Sequence, residues 1–139
     1  MNIGAVMDEI AGRIGLATTL AGRVYAYPAA TISPPAAIVN FPGKIDYDQS
    51  GRRGRDRLEG TFVVFIGRPE QPASRDLLTQ YANSALGESL KALVEGDSDV
   101  YTTCDGVAVD SAEFDVFEVA TVPLLVAVFS WTAYGPGTT

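Results

Sequence analysis

The longest apolar run in the sequence is Val-Pro-Leu-Leu-Val-Ala-Val-Phe, at residues 122–129. It is far shorter than the ~20 apolar residues that cross a bilayer as a helix, but it has the length of a buried strand. From Leu124 to Trp131 both alternating faces are mainly apolar. This pattern is typical of a central strand that is covered on both faces. We therefore expect a sheet built around this segment, and no association with a membrane.

The size of the chain suits one domain. It has 139 residues, of which 47% are hydrophobic, so it can bury a core and is too apolar to be disordered. Residues 1–139 are accordingly predicted to form a single domain. The first residues lack the basic and apolar regions of a secretory signal, and the chain has one cysteine. Both features favour synthesis in a reducing cytosol.

Apolar periodicity predicts the remaining elements. Spacings of three and four predict a helix over residues 3–20 and a second helix from Pro72 or Ser74 to a stop at Gly96. Alternating β-forming residues predict strands at 23–27, at 36–41 with 44–48 as a continuation, and at 57–67, 107–119 and 124–133. The last two are expected to pair as an antiparallel hairpin. Strands grouped apart from helices indicate an α+β fold, in which a mainly antiparallel mixed sheet carries both helices.

Three segments lie outside these elements. Residues 49–56, Gln-Ser-Gly-Arg-Arg-Gly-Arg-Asp, separate two strands and predict a flexible hairpin loop that projects into solvent. Residues 97–106 are an acidic loop that contains Cys104. Residues 134–139 are expected to form a flexible tail.

Charge is distributed unevenly along the chain. Residues 1–75 hold nine basic and seven acidic residues, whereas residues 76–139 hold one basic and ten acidic residues. The two parts therefore carry +2 and −9, which sum to the formal charge of −7. This net charge disfavours general nucleic-acid binding, which depends on neutralising phosphates. This uneven charge can let the acidic part of one copy attract the basic part of the next in a ring. The alternative is that both parts are simply solvated surface.

The residue types exclude most catalytic chemistry. The sequence has no histidine, the commonest general base and zinc ligand. Cys104 is surrounded by acids, which disfavour a reactive thiolate, so an inert thiol is expected. Asp97, Asp99 and Asp105 suggest a calcium loop, but the glycine and closing glutamate of such a loop are missing at their offsets. We favour a solvated acidic surface and expect no enzyme activity, no metal and no cofactor.

The most distinctive local feature of the sequence is a cluster of four arginines: Arg52, Arg53, Arg55 and Arg57. They are compatible with phosphate binding through bidentate guanidinium contacts, or with a solvated loop balanced by neighbouring acids. They are also compatible with docking to an acidic neighbour, which we favour because residues 97–118 of an identical copy supply the acids. Such contacts repeat at every interface of a closed ring and so act together.

An ordered set of short segments resembles one protein family. The set comprises Pro34-Pro35-Ala36-Ala37-Ile38-Val39, Ile45-Asp46-Tyr47-Asp48, Arg53-Gly54-Arg55-Asp56-Arg57-Leu58, Tyr81-Ala82, Leu86-Gly87-Glu88-Ser89-Leu90-Lys91-Ala92-Leu93 and the apolar strand through Trp131. In this order they resemble the tail terminator, or tail completion, proteins of long-tailed bacteriophages. The likeness covers most of the chain, although no single segment is specific.

The resemblance implies a structural virion protein at the tail–head junction that is assembled in the host cytoplasm. Such proteins form a hexameric ring that caps the head-proximal end of the tail tube and ends tube polymerisation. The implied partners are further copies of the chain, the tail tube protein and a head-completion or connector protein, and DNA passes through the lumen without specific binding. The resemblance implies no enzyme activity and no cofactor. A head–tail connector, a stopper, or an anion- or nucleic-acid-binding module is the alternative.

By position, the resemblance assigns residues of the segment between the third strand region and the long strand to contacts within the ring or with the tube. Together with the acidic loop, the candidate interface residues are Asp46, Asp48, Arg52, Arg53, Arg55, Arg57, Asp97, Asp99 and Asp105.

Overall fold

A computed structural model describes residues 2–17, 19–20, 22–26, 34–47, 55–83, 89–96, 101–119 and 121–136. The elements follow in the order α1 (Ile3–Ile14), β1 (Val24–Tyr25), β2 (Ala36–Val39), β3 (Lys44–Asp46), β4 (Arg55–Gly67), α2 (Pro72–Ala82), α3 (Leu90–Glu95), β5 (Gly106–Val119) and β6 (Val122–Pro136). This arrangement confirms the α+β class.

The strands form one six-stranded sheet in the order β1-β2-β4-β6-β5, with β3 also paired to β4. β1 and β2 are parallel and every other pair is antiparallel, so the sheet is mixed and mainly antiparallel as predicted. β6 lies between β4 and β5, which confirms the central position expected from its two apolar faces. β5 and β6 form the predicted hairpin.

The helices pack on the sheet through a buried apolar core. The stripe predicted for the first helix is confirmed, because Val6, Met7, Ile10 and Ile14 of α1 are all buried. Phe62 of β4 and Phe129 of β6 lie directly opposite each other, and their rings stack with centroids 4.9 Å apart. This stacked pair joins two neighbouring strands within the core on which the helices pack.

Two helix predictions were wrong in extent. The first helix ends at Ile14, not at residue 20, and Gly15 caps it. The predicted helix over 72–96 is two helices: Asn83 leaves α2 with an extended backbone, and the Ser89 side chain caps α3 by accepting the Ala92 N–H at 3.2 Å. The apolar stripe appeared continuous because residues of both helices bury into the same core. Gly96 ends α3 with a φ of 57°, as expected of a glycine stop.

The strand boundaries also differ from the prediction. β2 stops at Val39 and β3 begins at Lys44, so the expected continuation is a separate strand that pairs with β4. Residues 55–56, predicted as loop, and 134–136, predicted as tail, are strand residues: 55 and 56 pair with 136 and 135, and Tyr134 pairs with Arg57. The reason is that continued pairing satisfies the backbone groups at this end of β4 and β6. The remainder of the predicted loop, residues 49–54, and of the tail, residues 137–139, lies outside the described residues.

Candidate interaction surface

One row of residues crosses the sheet at the end where β4 begins. Asp46 of β3 lies opposite Arg57 of β4, Arg57 lies opposite Tyr134 of β6, and Tyr134 lies opposite Gly106 of β5. The neighbouring Asp105 donates its backbone N–H to the Tyr134 carbonyl at 2.7 Å. Three candidate interface residues, Asp46, Arg57 and Asp105, are therefore brought to one end of the sheet, which we call the charged end.

Ion pairs partly neutralise the charged end. Asp46 pairs with Lys44 at 3.4 Å, and the Arg57 guanidinium contacts Glu59. The side chains of Asp46 and Arg57 remain 25% and 37% exposed. Such partly exposed pairs contribute about 0–1 kcal/mol to folding. They can therefore rearrange toward a partner at little cost in stability.

Most of the other candidate interface residues lie outside the described part of the chain. They are Asp48, Arg52, Arg53, Asp97 and Asp99. The backbone of Arg55 opens β4 opposite Pro136, in the strand that runs on to Arg57. The arginine-rich part of the sequence therefore enters β4 at the charged end.

A second exposed surface lies on β5, within residues 97–118, which the sequence analysis named as the acidic partner; its position at a sheet edge and its exposed apolar residues were not predicted. This strand is at the edge of the sheet, and its residues 113–118, Glu-Phe-Asp-Val-Phe-Glu, are all exposed. Phe114, Val116 and Phe117 are exposed by 50%, 48% and 40%. We call residues 110–118, which also include Asp110, the acidic edge. The alternation of acids and large apolar residues was a visible signal, but the sequence could not show that this strand lies at an edge.

The first part of the β5 edge is protected by α3. The Glu95 carboxylate accepts the Val109 N–H at 3.0 Å, and the Lys91 ammonium donates to the Val109 carbonyl at 3.3 Å. Lys91 and Glu95 also pair with each other at 2.5 Å. A bulge at Asp110 follows immediately, between the pairs Val109–Trp131 and Ser111–Ser130. The exposed acidic edge therefore starts where the α3 side chains stop satisfying the backbone.

The sheet face beside the charged end carries a cleft of about 390 Å³, lined in part by Phe41, Glu59 and Asp110. Two hydroxyl groups of its lining, those of Thr61 and Thr132, already form hydrogen bonds within the chain. The Thr132 hydroxyl donates to Asp110 at 2.6 Å, and the Asn40 amide donates to the Thr61 hydroxyl at 3.1 Å.

Glu9 of α1 holds the segment that precedes β5. Its carboxylate accepts the backbone N–H groups of Thr102 at 3.0 Å and Thr103 at 2.7 Å. Burial acts to raise the pKa of Glu9, but the hydrogen bonds from Thr103 and Thr102 outweigh it and lower the pKa below the ordinary 4.5. This contact fixes the start of the β5 edge to the helical layer.

Cys104 lies in the same segment and is buried. Burial raises the pKa of its thiol, and the negative charges of Glu9 and Asp105 act in the same direction. The thiol is therefore protonated at neutral pH, as expected for an inert cysteine. Within the described part of the chain, no group of three or more potential metal-ligating side chains occurs, and no helix is long and apolar enough to span a membrane.

Comparison with protein-family models and with curated proteins gives no match to this sequence.

Proposed function

We propose that this protein is a structural subunit of a phage tail: a tail terminator whose copies form a hexameric ring on the head-proximal end of the tail tube. The ring ends tube polymerisation and presents a surface to the head-completion or connector protein. The resemblance of the ordered sequence segments supports this role. The α+β fold, with a mixed sheet and helices packed on it, is compatible with it.

The observation that carries the proposal is the presence of two different exposed surfaces on one body. A ring built from identical copies needs a head-to-tail contact, in which one surface of a subunit meets a different surface of the next. The arginine-rich segment leads into β4 at the charged end. The acidic edge carries Asp110, Glu113, Asp115 and Glu118. The charged end mixes both signs and the acidic edge is uniformly acidic, and the two lie on different parts of the sheet, as a head-to-tail contact requires.

Charge also suits the lumen of such a ring. The net charge is −7 per copy, so six copies present a strongly negative assembly. Acidic groups that face a channel repel DNA phosphates and let the genome pass without sticking. The proposed partners are the tube protein on one side of the ring and the head-completion or connector protein on the other.

A deletion of the gene in the encoding phage tests the function. Without a terminator, tube polymerisation runs on, so electron micrographs are expected to show overlong tails. Expression of the wild-type chain from a plasmid restores the length and serves as the control. Tails of normal length beside unattached, leaking heads would contradict a terminator and would favour the stopper or connector alternative.

A further inference from the structure

We propose that an apolar cleft beside the charged end of one copy receives the side chain of Phe114 from the acidic edge of the next copy. The inference rests on the proposed ring and specifies the side chains through which its subunits meet. The cleft and Phe114 both lie within the described part of the chain.

The apolar cleft lies between the start of α1 and β3. It has a volume of about 340 Å³ and is lined in part by Ile3, Phe41, Gly43, Lys44 and Leu58. Leu58 is buried, whereas Ile3 and Phe41 are exposed by 38% and 69%. Exposed apolar side chains around a concave surface are typical of a binding site. A cleft of this size and lining can take up one aromatic side chain of a partner.

The large apolar residues that are exposed in the described part of the chain fall into two groups, apart from Leu16. The group at or beside the charged end comprises Ile3, Phe41, Tyr47 and Tyr134, and the group on the β5–β6 hairpin comprises Phe114, Val116, Phe117 and Val122. The first group contains a cleft and the second a strand edge, so they differ in shape as the two surfaces of a head-to-tail contact do. Each interface of a closed ring would remove one group of each kind from water.

Charge selects the acidic edge as the occupant of the cleft. Phe114 stands between Glu113 and Asp115, and all three residues are exposed. Lys44 lines the cleft with a side chain that is 62% exposed, and its pair with Asp46 is partly exposed and separates at little cost. An ammonium in this position attracts an aromatic side chain that has carboxylates beside it. Contact between two acidic edges would instead bring like charges together.

Phe114 cannot reach the cleft of its own copy. Phe114 lies opposite Ala127, and Ala127 lies opposite Val64. Val64 is six residues along β4 from Leu58 of the cleft, which corresponds to roughly 20 Å of strand. The contact therefore forms only between copies.

Cross-linking between two introduced thiols tests the contact. Gly43→Cys places a thiol in the cleft, where a Cβ meets nothing within 4 Å, and Val116→Cys places one two residues from Phe114 on the same face of β5. A short bismaleimide added to an equimolar mixture of the two full-length variants is expected to give a heterodimer, and peptide mass spectrometry should find the link between residues 43 and 116. The natural Cys104 is buried and remains in both variants. Gly43→Cys mixed with Leu16→Cys, at a residue that is 55% exposed, is the matched control and should give about tenfold less product.

Two further substitutions separate insertion of the aromatic ring from random collision. Phe114→Ala in the Val116→Cys partner should lower the yield about tenfold, because it removes the aromatic anchor. Lys44→Glu in the Gly43→Cys partner should lower it about fivefold, because it repels the acids of the edge. A yield no higher than that of the Leu16→Cys control, or a yield that neither substitution lowers, would overturn the inference and leave the cleft to a different protein.

Failure of this contact and failure of the terminator function are distinguishable. Overlong tails in the deletion phage, without the cross-link, would leave the terminator function standing and overturn the contact. The cross-link together with tails of normal length would leave the contact standing and contradict the terminator function.

Discussion

The indole of Trp131 packs directly over Gly60, its partner on the neighbouring strand. The two residues lie opposite each other in the β4–β6 register, and a Cβ atom placed on residue 60 would stand 2.5 Å from Cζ2 of the indole. Trp131 is almost completely buried and is among the largest side chains of the core. Glycine at residue 60 is therefore what allows this tryptophan to lie against the sheet.

Gly60→Ala is expected to lower the free energy of unfolding by about 2 kcal/mol, because the added methyl group forces Trp131 out of its packed position. Urea unfolding followed by tryptophan fluorescence measures the change. Gly12→Ala is the matched control, since a Cβ there meets nothing within 4 Å. In the interior of α1 that substitution should raise stability by up to about 1 kcal/mol. Equal unfolding midpoints for Gly60→Ala and wild type would contradict the packing described.

The contact of Glu9 with Thr102 and Thr103 predicts a pH dependence. The folded state lowers the pKa of Glu9, so its stabilisation is fully present above the ordinary pKa of 4.5. It is lost as the pH falls through the lower pKa of the folded state. Glu9→Gln should therefore cost about 1 kcal/mol at pH 7 and much less at pH 3. Thermal unfolding at both pH values tests this, and an equal difference between variant and wild type at both would contradict it.

Cys104 is expected to react slowly with iodoacetamide at pH 8, because it is buried and its thiol pKa is raised. Its alkylation should be about tenfold or more slower in the native protein than in urea, where the thiol is exposed and has an ordinary pKa. Mass spectrometry of timed samples gives both rates. Equal rates in the two conditions would show that the thiol is neither shielded nor shifted in pKa by the fold, and would contradict the description.

Reversal of charge in the arginine-rich segment tests its role in assembly. Arg53→Glu with Arg55→Glu should weaken self-association, and capping of tube ends, about tenfold or more through repulsion from the acidic edge. Native mass spectrometry and tube-capping assays measure the effect. The variant Arg68→Glu with Arg75→Glu makes the same change in charge at two exposed residues and should assemble normally. An unfolded circular dichroism spectrum of the first variant would instead assign the arginines to the fold.

The sequence predicted those elements whose pattern is local. The stripe of α1, the β5–β6 hairpin and the central position of β6 follow from apolar periodicity and were confirmed. The break between α2 and α3 was not predicted, because the apolar spacing continues across it. The break depends instead on the extended backbone of Asn83 and on the Ser89 cap.

The candidate site was predictable in composition but not in arrangement. The acids and arginines are visible in the sequence, and the family resemblance predicted Asp46 and Arg57 as interface residues. Their common row with Tyr134 depends on register between strands distant in sequence. The acidic edge depends on strand order, since the same β5 sequence in the centre of the sheet would have its backbone groups paired.

Location of this chain in complete phage particles tests the central claim most directly. Cryo-electron microscopy of the virion should place six copies in a ring at the head-proximal end of the tail tube, with each acidic edge facing the charged end of its neighbour. A single copy in the particle, or the absence of the chain from it, would contradict the account.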